Sequence, residues 1–408
     1  MRIIHIITRL ILGGAQENTI LTCEGLHRRG HEVTLITGPA LGPEGQLLER
    51  AKSGGYKVMV LNHLRRAINP VHDISAYYQL KRLIAEINPD IVHTHSAKAG
   101  ILGRWAAAAV RSRASQSCCS RVSQLRSAQL AHCALPRIVH TIHGLAFHPY
   151  QSALLNRIYI AVEKSAARQT DAFISVADAM TQKALASGIG QPGQFTRIFS
   201  GLEIDNFPAD FPREEIRRVR REYAIPDVAV VITTLARLFE LKGHEYIIES
   251  AKDLAKRHPQ VIWMFIGDGL LRSRLENQIA AAGLKDRFRL TGLVEPERIP
   301  LLLSAGDILV HCSLREGLAR ALPQALLCGK GVISFDVDGA AEVIINNETG
   351  LLVPPQDIAA LTAAEEKLIA DAELRRRLGA AGRELARREF DKELMVDKIE
   401  RLYKSLTI

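Results

Sequence analysis

Two cations at the exit of an apolar run carry the first recognisable chemistry in this 408-residue chain. Arg237 and Lys242 follow Val228 to Thr234 and precede a helical pattern that starts near Gly243. The carboxyl end of a parallel strand is where α/β sheets take ligands, and a helix N-terminus offers free N–H groups. Two cations there make an anion site suited to a diphosphate; the competing reading is a pair of solvated loop cations. Glu316-Gly317-Leu318 follows Ile308 to His311 and opens a helical stretch of Ala and Leu residues. This puts a carboxylate able to accept from sugar hydroxyls beside several backbone N–H groups, although an acid at such a place also serves as a plain dipole partner. His143-Gly144 closes the run Ile138 to Thr141, with glycine leaving room for a ligand beside the ring; His95 ends Ile91 to His93 in the same way.

Other motifs mostly exclude. Gly267-Asp268-Gly269 forms a turn that can approach a nucleotide base, but neither it nor Gly13-Gly14 completes Gly-x-Gly-x-x-Gly, and no P-loop occurs. A nicotinamide cofactor and a P-loop ATPase are therefore disfavoured. Asp336-Val337-Asp338 spells the Asp-x-Asp of metal-dependent sugar transferases, yet it comes late in a second half-pattern, and no metal is assigned to it. The six cysteines contain no Cys-x-x-Cys pair and are too irregular for a disulfide scaffold.

The elements that must position these residues repeat. Apolar runs at 2–8, His31 to Thr37, Tyr56 to Leu61, Ile91 to His93, Ile138 to Thr141 and Ala172 to Ser175 alternate with helical stretches such as Ala15 to Arg29 and Asp73 to Ile87. The alternation restarts at Val228 and runs through Val261 to Gly267, Phe288 to Thr291, Ile308 to His311 and Gly331 to Phe335. Strand–helix alternation of this kind predicts parallel sheets covered on both faces. We expect an α/β chain with a first domain over 1–203, a second over 204–388 and a terminal amphipathic helix over 389–408. Residues 111–134, Ser-, Arg-, Gln- and Cys-rich with no acid, read as an irregular surface insertion.

Charge is uneven. Residues 1–203 hold 23 Lys and Arg against 12 Asp and Glu, while the remainder holds 30 against 32, giving the net +9. A basic first half suits an anionic partner such as a membrane surface. Aromatics at 5% and the lack of any helix-turn-helix, zinc-finger or RNA-binding signature disfavour nucleic acid. With no run of about 18 apolar residues and no convincing leader, the chain is expected to be cytoplasmic.

Gly13-Gly14-Ala15-Gln16, His143-Gly144, Arg237 with Lys242-Gly243, Gly267-Asp268-Gly269, Glu316-Gly317 and Thr349-Gly350-Leu351-Leu352-Val353-Pro354 occur in one order. The set resembles the retaining nucleotide-sugar glycosyltransferases of family four over nearly the whole chain. That resemblance implies the GT-B fold: two facing Rossmann-like doubly wound domains with a central cleft and a C-terminal helix returning to the first domain. It implies transfer of a sugar from a UDP- or GDP-sugar to a hydroxyl of a lipid-linked, polysaccharide or small-molecule acceptor, with retention and without metal or further cofactor. His143, Arg237, Lys242 and Glu316 would be catalytic, His143 near the transferred sugar, the two cations on the diphosphate and Glu316 on sugar hydroxyls. Gly14, Gly267, Gly269, Gly317, Leu318 and Glu342 would help to bind the donor. The family usually has a second Glu, for the ribose, eight residues after the first; here Gln324 stands there. A nucleotide-sugar epimerase and a non-catalytic sugar-nucleotide-binding protein are the alternatives, peripheral attachment to the inner membrane face is a further expectation, and the oligomeric state is left open.

Overall fold

Runs rich in Ile and Val suit strands covered on both faces, and the central strands of each parallel sheet are buried in this way, while the edge strands Lys57–Val60 and Phe195–Arg197 keep exposed residues. The computed structural model describes residues 1–41, 46–122, 135–208 and 210–407, with backbone alone for 117–122. Its chain divides into two units, Met1–Gly201 with Lys392–Ile408, and Leu202–Asp391.

In the first unit the strands are β1 (Arg2–Ile7), β2 (Glu32–Thr37), β3 (Lys57–Val60), β4 (Ile91–His95), β5 (Arg137–Ile142), β6 (Ala172–Ser175) and β7 (Phe195–Arg197). They form one sheet in the order β3-β2-β1-β4-β5-β6-β7, parallel at every pairing. The helices are α1 (Gly14–Arg28), α2 (Leu48–Ser53), α3 (Pro70–Ile87), α4 (Ala97–Val122), α5 (Ala153–Ala167) and α6 (Asp178–Ala186). Alternate residues of β1 feed two cores. Ile3 and Ile7 pack with Ile20, Leu21 and Leu26 of α1, and Ile4 and Ile6 with Leu80 and Ile84 of α3 and Ala106 of α4.

The second unit contains β8 (Val230–Leu235), β9 (Val261–Ile266), β10 (Phe288–Leu290), β11 (Ile308–His311), β12 (Gly331–Phe335) and β13 (Leu351–Val353). Their order is β10-β9-β8-β11-β12-β13, again parallel throughout. Its helices are α7 (Arg213–Glu222), α8 (His244–Arg257), α9 (Arg272–Ala281), α10 (Ile299–Ala305), α11 (Ala321–Leu327), α12 (Ile358–Ala370) and α13 (Ala372–Glu389).

The last helix, α14 (Lys392–Thr407), packs on α1 in the first unit. Met395, Val396, Ile399 and Tyr403 supply its buried stripe. Gly25 makes the approach possible, since a Cβ there would lie 2.5 Å from Val396 Cγ2. Ion pairs from Arg28 to Glu393 (2.7 Å) and Arg29 to Glu400 (2.9 Å) border the seam. The chain crosses between units at Gly201/Leu202 and Asp391/Lys392, two to three residues from the boundaries read from sequence. The crossings lie side by side because Leu202 N–H donates to the Phe390 carbonyl at 2.7 Å.

One expectation is overturned. Residues 111–122 are the continuation of α4, not an irregular insertion. Ala106 to Ala109 carry strong helix propensity up to this stretch. Arg111 then anchors it, with Nη1 donating to Asp171 Oδ2 at 2.7 Å and Nη2 to the Gln169 carbonyl at 3.1 Å. Cys118 and Cys119 thus have helical backbone rather than loop. Residues 123–134, with Cys133, fall outside the described residues.

Candidate active site

In each sheet the strand order reverses direction at one place, between β1 and β4 in the first and between β8 and β11 in the second. Loops leaving adjacent strands there run to opposite sides and open a crevice. Arg237, Lys242, Glu316 and Gly14 follow strands at these two places, while Gly267 and Gly269 follow β9, His143 follows β5 and Glu342 follows β12.

In the second unit the loop after β8 carries Arg237 and Lys242. Leu241 has φ 66° and Gly243 φ 73°, both left-handed. A Cβ on Gly243 would sit 2.0 Å from the Cys312 carbonyl oxygen, so only glycine lets this loop press on the exit of β11. The contact is held by Leu314 N–H and Ser313 Oγ, which donate to the Leu241 carbonyl at 2.8 and 3.1 Å. The result is an ion pair between Lys242 Nζ and Glu316 Oε1, which joins two residues 74 positions apart. Burial pushes the Glu316 carboxyl up, but the Lys242 charge and the His311 ring outweigh it and hold its pKa well below the usual carboxylate range.

Glu316 is fixed from the other side as well. Its backbone N–H donates to Asp338 Oδ2 at 2.7 Å, and Gly339 N–H donates to the Gly317 carbonyl at 3.2 Å. Asp338 is therefore a positioning group for the Glu316 loop, which the sequence reading as half of an Asp-x-Asp motif did not anticipate. His311 was also missed. Its Nε2 lies 3.7 Å from Glu316 Oε1 and has no hydrogen-bond partner among the described residues. The available signal was a histidine ending the strand next to β8. His311, Ser313, Glu316, Ser334, Phe335 and Val337 line a small hollow at this edge of the sheet. Behind Lys242, burial followed by the charges of His311 and Lys242 takes the His244 pKa down to about 3, so this ring is neutral.

Gly267 and Gly269 have a nearer cause than room for a nucleotide. Added Cβ atoms would lie 2.3 Å from the Ala236 carbonyl oxygen and 2.4 Å from that of Leu238. They allow the loop after β9 to lie against the Arg237 loop, where Leu238 N–H donates to the Asp268 carbonyl at 3.0 Å. Arg237 itself stacks on Phe239, with Cζ 4.9 Å from the ring centroid. Gly317 and Leu318 are not at a helix start, because α11 begins at Ala321. Pro323 explains the late start, since proline fits only the first turn of a helix. Gln324 lies in α11 and is half-buried, and Glu342 ends the short 3-10 turn Asp338–Glu342, whose Ala340 lines the hollow.

In the first unit Gly14 opens α1 beyond the exit of β1, and His143 follows β5. His143 Nε2 is 3.2 Å from His95 Nδ1, and His95 Nε2 is 2.9 Å from His5 Nδ1. A third strand ring, His93, bonds Tyr403 of α14 through Nδ1 and Thr141 through Nε2. His5, His93 and His95 have the proximity of a metal-ligand set, but these hydrogen bonds use one or both nitrogens of each ring. Burial takes His5 down to about 3. Burial first, then neighbouring imidazoles, holds His93 and His95 well below the usual histidine value. The stack is a set of neutral rings that fixes the orientation of His143 from beneath.

Comparison with known proteins fits both halves. The model of the family "Glycosyl transferase 4-like domain" matches residues 13–198, and that of "Glycosyl transferases group 1" matches residues 215–385. The chain is 26% identical over 361 residues to the UDP-Gal:alpha-D-GlcNAc-diphosphoundecaprenol alpha-1,3-galactosyltransferase of Escherichia coli, covering 88% of this chain and 85% of that protein. It is 26% identical over 369 residues to the GDP-mannose-dependent alpha-(1-6)-phosphatidylinositol monomannoside mannosyltransferase of Mycolicibacterium smegmatis, covering 88% and 86%. Among solved structures, Anabaena HepE in complex with UDP-glucose superposes with a TM-score of 0.80 at 20% identity, covering 99% of this chain and all of that one. These matches are to transferases, which removes the epimerase alternative. Two parallel Rossmann-like units, cations and a half-buried carboxylate at a switch point, and family models over both halves lead to one conclusion: the chain belongs to the group 1 glycosyl transferases.

Proposed function

We propose that the chain transfers a sugar from a UDP- or GDP-sugar to a hydroxyl of a lipid-linked or carbohydrate acceptor, with retained configuration and without a catalytic metal. The observation that carries the reading is the Lys242–Glu316 pair at the switch point of the second sheet, beside the Arg237 loop. Breaking a glycosyl–phosphate bond leaves a diphosphate anion and an oxocarbenium-like sugar. Arg237 and Lys242 stabilise that anion together with the free N–H groups that open α8, a role other transferases give to a metal ion. Glu316, kept ionised by Lys242, accepts hydrogen bonds from hydroxyls of the departing sugar. In the first unit His143, held by His95, is the residue assigned to a sugar contact. The departing phosphate oxygen takes the acceptor proton on the face it leaves, which preserves the anomeric configuration.

Two relatives named for diphosphoundecaprenol and phosphatidylinositol acceptors favour a lipid-linked substrate, so the protein would work peripherally at the cytoplasmic membrane face. No helix among the described residues is long and apolar enough to cross a membrane. The test is nucleoside diphosphate release from UDP- and GDP-sugars with and without an undecaprenyl-diphosphate sugar. Acceptor-dependent release is expected, and Lys242→Ala should lower it about 100- to 1,000-fold. Tight donor binding without turnover on any acceptor would instead make this a sugar-nucleotide-binding protein.

A further inference from the structure

Helices α3, α4 and α5 lie together on one face of the first sheet, with α4 packed between the other two. Ala76, Leu80 and Ile84 turn the inner side of α3 to the core. A water-facing outer side would ordinarily be polar. Here it carries Val71, Ile74 and Tyr78 at i, i+3 and i+7, exposed by 74%, 58% and 62%, with Ile68 just before the helix at 76%. On α5, Leu154 and Ile158 point outward in the same way around Arg157. Scattered apolar residues need no cause, but a contiguous stripe on one helix and its echo on a neighbour in the same layer mark an interface.

Charge selects the occupant. Arg65 and Arg66 precede the α3 stripe, and Lys81 and Arg82 follow it. The only carboxylate between positions 65 and 82 is Asp73, and Lys98 Nζ engages it at 2.6 Å. On α5 the only acid, Glu163, turns inward to Arg104 Nη2 at 2.6 Å. A second copy of this face would bring cations against cations. Arg82 pairs with Glu86 at 2.6 Å, but Arg65, Arg66 and Lys81 have no carboxylate partner among the described residues. An apolar stripe edged with cations in excess matches the boundary between acyl chains and anionic headgroups. We propose that the outer face of α3, continued by α5, is the membrane-docking surface of this protein, with Ile68, Val71, Ile74 and Tyr78 entering the headgroup layer of an anionic bilayer. The inference rests on the lipid-linked reading of the acceptor only for its biological purpose, and binding is measured separately from turnover.

The experiment is flotation of the full chain with phosphatidylcholine vesicles, with and without phosphatidylglycerol. The native protein should float with the anionic vesicles alone, and less so as salt rises. Ile74→Glu should weaken partitioning about tenfold, because it exchanges a buried aliphatic group for a charge. Arg65→Ser with Arg66→Ser should bring the anionic-vesicle signal toward the neutral one. Val228→Glu, an equally exposed apolar site in the second unit, should bind as the native protein does. Melting temperature and turnover on a soluble acceptor should be unchanged in all three. Native protein that ignores anionic vesicles, or Ile74→Glu that binds them undiminished, overturns the proposal. So does a native dimer in sedimentation that Ile74→Glu dissociates, since the stripe would then be a contact between copies. Loss of donor turnover with vesicle binding intact would count against the catalytic reading and leave the docking face standing.

Discussion

Replacing Lys242 with methionine should reverse the sign with which Glu316 contributes to stability as pH changes. In the native protein burial raises the Glu316 pKa, but Lys242 and His311 overcome it and the carboxyl ends well below its ordinary value. A group depressed in the folded state stabilises the fold above its unfolded pKa of about 4.3, and that stability is lost as pH falls through the folded value. Methionine keeps much of the stem and removes the charge. Burial, the largest influence, is then opposed only by the His311 ring 3.7 Å away, so the folded pKa should move above the unfolded one. The contribution then has the opposite form: present below the unfolded pKa, and lost as pH rises through the folded one.

The size follows from about 1.4 kcal/mol per unit of pKa difference. Both side chains keep 22% of their surface exposed, so water screens part of the interaction. We expect a swing of about 2–3 kcal/mol between the two backgrounds near neutral pH, below the cost of breaking a fully buried pair. The assay is urea unfolding of the native protein, Glu316→Gln, Lys242→Met and the double variant from about pH 5 to about pH 8. The native protein should be more stable than Glu316→Gln near neutrality. Lys242→Met should be less stable than the double variant at the upper end, and the gap should close toward pH 5. A Lys242→Met gap that keeps the native sign, or ignores pH, would show that Lys242 does not govern this carboxylate, and the electrostatic account of the site would fail.

Two further outcomes test the scaffold. Glu365 is fully buried, and burial drives its pKa up to about 8, so the second unit should lose stability as pH rises from about 4.5 through about 8; Glu365→Gln should flatten that slope in melting curves. Gly243→Ala must place a Cβ 2.0 Å from a backbone oxygen at φ 73°, so it should cost more than about 3 kcal/mol in unfolding measurements and lower donor turnover with it.

The strands were legible because uninterrupted Ile and Val runs have few other fates, and Ile308–His311 and Gly331–Phe335 fall where the pattern places them. The helix α4 was not, because Ser, Arg and Cys weaken its apolar period while the contact that holds it, Arg111 with Asp171, spans 60 positions. The start of α11 was misplaced because Glu316-Gly317 looks like a helix opening, whereas Pro323 permits the helix only from about its own first turn. Gly267 and Gly269 were legible as special positions but not in their purpose, which is the nearness of two backbones. The imidazole stack was hidden for a different reason. His5 lies within β1, His95 ends β4 and His143 follows β5, and no local period relates them.

What sequence could not supply in each case is the order of strands, and that order decides the chemistry. Lys242 and Glu316 meet because β8 and β11 are neighbours, with Ile232 opposite Ile308 and Thr233 opposite Leu309. Had the second sheet been ordered by sequence, β9 and β10 would separate these exits, and about 4.8 Å per intervening strand would put the ammonium beyond reach of the carboxylate. The same reversal in the first sheet seats β1 beside β4, which lets His5 reach His95 and, through it, His143. Because both contacts need adjacency at a reversal, an insertion remote from it should be tolerated, as between β2 and β3 or between α9 and β10. The same insertion after Leu241 should separate Lys242 from Glu316 and abolish transfer while the chain still folds, read as lost turnover with a cooperative melting transition that is lowered but not lost.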